Sequence, residues 1–150
     1  MTHEDLRKRA VKWLTGTRRC SVVISEMVSA AWETPDAIGW HSGRSILVEC
    51  KVSRADFHRN GDKSTLAGDR GVGTFRYFMV PEDLIFPEDM NKYPGYGLLS
   101  VNPAGRVWTV KESVARDSNQ TSEIAMLISA LRRIKTREFL TIVAEGNDPQ

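Results

Sequence analysis

The chain has 150 residues, 41% hydrophobic and 27% charged, enough apolar material for one globular domain with a real core. Its formal charge of +2 is too small to argue for a polyanionic partner by itself. No N-terminal apolar run resembles a signal peptide and none approaches the length of a membrane span, so a cytoplasmic protein without a membrane partner is expected.

Thr2 suits the N-cap of a helix over residues 3–15, with Glu4 and Asp5 in the first turn, where the helix dipole favours acids. Leu6, Ala10, Trp13 and Leu14 recur at helical spacing and face the core, and Gly16 is the expected stop. The other side carries Arg7, Lys8, Arg9 and Lys12, which reads either as a solvated face or as a phosphate contact. Cys20 to Val28 reads as a long strand; its β-branched content and incomplete alternation predict cover on both faces. Glu26 is the anomaly there, because a carboxylate in an apolar strand is costly without a partner. Neither Cys20 nor Cys50 has metal-ligand spacing, and a reducing compartment is expected for both.

Next comes a hairpin. Ala37–Trp40 and Ser45–Val48 are apolar runs separated by His41-Ser42-Gly43-Arg44, with Gly43 free to take a positive φ. Folding back at that turn brings Asp36, held by Pro35, beside Glu49. Glu49 and Lys51 point to one face of the strand and Cys50 to the other. Two carboxylates and an ammonium then converge, an arrangement that is expensive unless the charges pair or hold a cation. Hard oxygen donors suit Mg²⁺ or Mn²⁺, and a neighbouring lysine suits a phosphate oxygen or attacking water, which is the chemistry of metal-assisted phosphodiester hydrolysis. A structural ion pair at a sheet edge is the alternative.

Ser53 fits the N-cap of a further helix, with Asp56 and Phe57 in its first turn. Residues 59–74 are polar and glycine-rich, and Arg59, Lys63 and Arg70 would touch phosphate if this loop closes over a strand. Phe75–Val80 is a strand whose aromatics belong to the core, with Arg76 as an exception that reaches the edge of the site. Gly97–Val101 and Arg106–Val110 flank the turn Asn102-Pro103-Ala104-Gly105. After a polar linker, a helix from about Ser122 carries Ile124, Leu127, Ile128, Leu131 and Ile134 at helical spacing, the expected core face. It continues toward Phe139, Leu140, Ile142 and Val143, which pack on the sheet or serve a homodimer. One α/β (α+β) domain over 1–145 and a disordered tail over 146–150 are expected.

The motifs carry a resemblance. Pro35-Asp36 and Glu49-Cys50-Lys51 resemble the PD and (D/E)-x-K elements of the PD-(D/E)XK nuclease superfamily. The longer block from Glu49 through Asp56-Phe57 to Val80-Pro81 is similar to small MmcB-like DNA-repair and phage-encoded nucleases. The likeness implies a restriction-endonuclease-like αβββαβ core with a mixed sheet flanked by helices, extended by a C-terminal hairpin and helix. It implies Mg²⁺ or Mn²⁺ held by Asp36, Glu49 and the Cys50 carbonyl, with Lys51 at the nucleophile. Glu26 matches the first acid of the MmcB-like pattern, while other superfamily members place it on the first helix, where Glu4 stands. Ser53, Asp56 and Lys63 become supporting or substrate-contact residues by the same likeness. The implied partner is DNA of unspecified strand type. The glutamine that many members carry after the E-x-K strand is absent here from 53–74. A catalytically silent DNA- or protein-binding factor, or a subunit active only with a protein partner, stays open.

Overall fold

The computed structural model describes residues 1–25, 35–59 and 71–134. A six-stranded open mixed sheet runs in sequential order: β1 (Val22–Ser25), β2 (Ala37–His41), β3 (Arg44–Cys50), β4 (Phe75–Pro81), β5 (Gly97–Val101) and β6 (Val107–Lys111). The first three strands form an antiparallel meander, β3, β4 and β5 are mutually parallel, and β6 returns antiparallel. The β2–β3 link is the tight turn that the apolar runs predict: Ser42 and Gly43 both take positive φ, 51° and 77°, matching the right-handed twist of the flanking strands.

Helix α1 (His3–Lys12) covers one face of the sheet. Its start is a capping box, with Thr2 Oγ1 accepting from Asp5 N at 3.1 Å and the Asp5 carboxylate accepting from Thr2 N at 2.8 Å. The helix does not stop before Gly16; it widens into a π-turn over Trp13–Thr17. Leu6, Ala10, Trp13 and Leu14 all lie in the core beneath it, against Ala37, Val48, Cys50, Tyr77 and Met79.

The opposite face is covered in two parts. Residues 54–59 form α2, whose Phe57 is fully buried among Phe78, Tyr93 and Tyr96. Tyr93 Oη also donates to the Phe57 carbonyl at 2.7 Å, and Arg54 forks onto Asp89 at 2.9 and 3.0 Å. These contacts tie the start of α2 to the 3₁₀ segment Pro87–Lys92. The second part is α3 (Gln120–Arg132), which lies over Ile24, Ile38, Trp40 and Leu47.

In its described part β1 is an edge strand of the sheet; Val23 packs toward the α1 side and Ile24 is buried on the α3 side, while Val22 is 46% exposed. Helix α3 is rotated away from most of its apolar stripe, of which Leu127 alone packs partly buried against the cluster beneath it. Glu123 and Met126 are buried, while Ile124, Ile128, Leu131 and Ile134 are exposed. The reason is polar. The Glu123 carboxylate accepts from Trp40 Nε1 at 2.8 Å, from Ser45 Oγ at 2.9 Å and from Ser118 Oγ. Hydrogen bonds to a charged acceptor, made where water is excluded, outweigh the burial of one more aliphatic stripe. Phe139 to Val143 and the tail 146–150 lie outside the described residues.

Candidate functional site

The β2–β3 register pairs Ala37 with Val48, so the next position outward on each strand is Asp36 and Glu49. The Asp36 carboxylate does not simply follow the pleat. Its Oδ2 accepts from the Cys50 backbone N–H at 2.7 Å, doing for the end of β3 what a ladder carbonyl does further in. Its Oδ1 lies 3.1 Å from His3 Nε2, in the first turn of α1. The side chain is 21% exposed and held from two sides.

Cys50 marks the centre of the cluster. Its thiol packs into the core on the α1 side, whereas Glu49 belongs to the face of Leu47 and, across the ladder to β4, of Phe78. Burial pushes the Cys50 thiol far up, and the carboxylates of Asp36 and Glu49 push it further, against Arg7 and Lys51. Two anions and two cations therefore act on one buried atom. The thiol stays protonated and inert as a nucleophile.

Lys51 continues the parallel pairing with β4, its N–H donating to the Met79 carbonyl at 3.0 Å. Its side chain is 12% exposed, and its ammonium lies 3.9 Å from Asp56 Oδ1. Asp56 stands in the first turn of α2, its backbone N–H donating to Ser53 Oγ at 3.1 Å, the cap that the sequence predicts. Arg59 reaches the same carboxylate at 3.4 Å. Asp36, Glu49, Lys51, Ser53, Asp56 and Arg59 are thus gathered by the ends of β2, β3 and the start of α2.

Arg76 goes elsewhere. It is fully buried, donating through Nε to the Gly73 carbonyl at 3.2 Å and through a terminal nitrogen to Tyr96 Oη at 3.3 Å. Enclosed in this way, its guanidinium offers no charge to a ligand at the surface. Glu26, Lys63 and Arg70 lie outside the described residues. Glu4, the other candidate for the first acid, pairs with Arg7, which in turn donates to Ser25 Oγ at 3.0 Å.

Neither His3, beside Asp36, nor Arg7, which reaches Ser25 and acts on Cys50, stood out from the sequence as part of this cluster. No local signal marks them, because their approach depends on how α1 crosses the ends of β1 and β2.

Among the described residues no three His, Cys, Asp or Glu side chains are grouped to hold a metal. The oxygen donors at the strand ends are the carboxylates of Asp36 and Glu49 and the Cys50 carbonyl. That set is chemically suited to Mg²⁺ or Mn²⁺, which accept one or two carboxylates and keep several waters.

No family model and no curated protein matches the chain. Among solved structures it is similar to SPO1766, a protein of unknown function from Silicibacter pomeroyi, with a TM-score of 0.64 and 20% identity over 89% of each chain. The fold is shared. At that identity the likeness carries the fold alone.

A second group of titratable residues lies at the other end of the sheet and is satisfied within itself. Arg18 sits 4.8 Å above the Trp13 ring and donates to Tyr77 Oη and Glu112 Oε2, each at 3.0 Å. Tyr77 donates to Glu112 at 2.7 Å, and burial, followed by that hydrogen bond, pushes its phenol up to about 12. This network joins α1 to β4 and the chain after β6. Among the described residues no helix is long and apolar enough to cross a membrane.

Proposed function

We propose that the chain is a metal-dependent nuclease of the PD-(D/E)XK type, hydrolysing DNA phosphodiester bonds in repair or phage nucleic-acid metabolism. The observation that carries the reading is the Asp36–Cys50 hydrogen bond, which ties the acid of one strand to the Glu49-Cys50-Lys51 triplet of the next. The element order α1, β1, β2, β3, α2, β4, with β1–β3 antiparallel and β4 parallel to β3, is compatible with the αβββαβ core that the motifs imply. Both cysteines are free and buried, which suits a reducing cytoplasm.

Asp36 and Glu49, with the Cys50 carbonyl, would hold Mg²⁺ or Mn²⁺, and Glu26 would join directly or through water. When bound, the ion supplies an acidified water and screens charge on the scissile phosphate. The Cys50 N–H keeps Asp36 Oδ2 fixed, and a bound ion would take Oδ1 in place of His3, which lies 3.1 Å from it. Lys51 directs the nucleophilic water and balances charge as the phosphorane-like transition state forms. Asp56, 3.9 Å away, keeps that ammonium aimed. No side-chain nucleophile is required.

The test is cleavage of labelled single-stranded, duplex and forked DNA with Mg²⁺ or Mn²⁺, with D36A and K51A alongside. Metal-dependent cutting that falls at least about a hundredfold in both variants is expected. Cutting that persists unchanged in both, or is absent from the wild type, removes the site from this role. One observation favours a nuclease-like binding factor instead: both Asp36 oxygens already have protein partners, Cys50 N–H and His3. Thermal melts separate the two readings. A nuclease centre gains stability with millimolar Mn²⁺ by mass action and loses the gain in D36A; a silent site shows no gain.

A further inference from the structure

A groove of about 850 Å³ runs beside α1 and opens across the ends of β1, β4 and β5. One wall is cationic. Lys8 and Lys12 are exposed one turn apart, roughly 6 Å along the helix axis. Arg9 lies between them in sequence, with its guanidinium directly over Gly105, where any Cβ would collide with it. The facing wall is largely apolar, built from Pro81, Val101 and Pro103. Two acids also border the groove. Asp5 is occupied by the Thr2 cap, and Glu82 sits where β4 ends. At one end Arg7 reaches Ser25, whose ladder partner Ala37 adjoins Asp36.

A groove with cations along one side and apolar surface along the other matches the two sides of an unpaired nucleic-acid strand. Phosphates line one edge of such a strand and base faces the other. A duplex carries its phosphates on an outer cylinder and keeps its base faces stacked inside, out of reach of an apolar wall. We propose that this groove holds an unpaired DNA strand, Lys8, Lys12 and Arg9 taking its phosphates, and leads it past Arg7 to Asp36 and Glu49. The proposal deepens the nuclease reading and rests on it for the cutting step, while binding is separable.

The experiment is fluorescence anisotropy of a labelled oligothymidylate and of a duplex of equal length, titrated in chelator over a range of salt. Wild type and the double variant K8A/K12A are compared; both lysines of the double variant are exposed, so its fold is unaffected. Wild type is expected to prefer the single strand. In K8A/K12A its affinity should fall about tenfold, and the slope of log K against log salt should shrink by about 1.4, two contacts at ~0.7 each. Equal affinity and slope in K8A/K12A, or a preference for duplex, overturns the proposal. If wild type binds in this way but never cuts, the nuclease reading falls and the groove stands. If wild type cuts while K8A/K12A binds normally, the groove falls alone.

Discussion

Replacing Glu123 with alanine removes the acceptor for two donors that have no route to water. Trp40 Nε1 and Ser45 Oγ donate to it at 2.8 and 2.9 Å, and Ser45 is 1% exposed. The Ser45 hydroxyl already accepts from Thr74 N at 2.9 Å, so it cannot turn to a new role without breaking that bond. Each buried donor stranded in this way costs about 1–3 kcal/mol, and losses within one network do not simply add. The expected loss is about 3–5 kcal/mol, a large share of the ~5–15 kcal/mol that holds a domain together, and a fall in Tm on the order of 10 °C. E123Q keeps the shape and one acceptor oxygen but turns an amide toward the remaining donors, so about 1–2 kcal/mol is expected. I128S, in contrast, changes a residue 51% exposed and should stay within about 0.5 kcal/mol of wild type. Urea unfolding followed by circular dichroism, with unchanged m-values, measures all three. If I128S costs as much as E123A, or E123A costs under about 1 kcal/mol, the helix packs by its apolar stripe and this account of its rotation is wrong.

Two further predictions rest on neighbouring contacts. The Arg54 fork, helped by Phe86 N–H, holds the Asp89 carboxyl down at about 2, below its ordinary 3.8. Its contribution is therefore complete above the unfolded carboxyl pKa and is lost as pH falls through the folded one. The Tm difference between wild type and D89N should be constant above about pH 5 and close between about pH 4 and 2; a gap independent of pH refutes the linkage. Gly97 lies under the Tyr77 ring, its cross-strand partner, and a Cβ there would also fall 2.7 Å from the Lys111 carbonyl oxygen. G97A should therefore destabilise by about 2–3 kcal/mol through overpacking against backbone that cannot retreat, and a melt within about 1 °C of wild type excludes that clash.

Much of the framework was legible before any coordinates. Thr2 announces an N-cap, His41 to Arg44 a tight turn, and Asn102 to Gly105 a second hairpin; each depends on the chemistry of residues a few positions apart. The hairpin length also sets Asp36 opposite Glu49, because register in a tight hairpin follows from its turn. Where the reading went astray, the partners were distant in sequence. Ile124, Ile128 and Leu131 form a regular apolar stripe, yet Glu123 faces inward because Trp40 and Ser45 meet it there. Arg76, a charge in an otherwise apolar strand, points by pattern to the edge of the site, yet it is enclosed with Gly73 and Tyr96 as its partners. His3 reaches Asp36 only because α1 crosses the sheet at that end.

By itself the sequence determined local structure: caps, turns, strand alternation, and the pairing of acids that one hairpin brings together. Only the tertiary structure decided which face of α3 is buried, that β1 lies at an edge, and that a groove with a basic wall runs from α1 toward the Asp36 cluster. The physical reason is range. Backbone geometry and capping act over a few residues, whereas the satisfaction of a buried carboxylate depends on donors contributed by strands some eighty positions away in the chain.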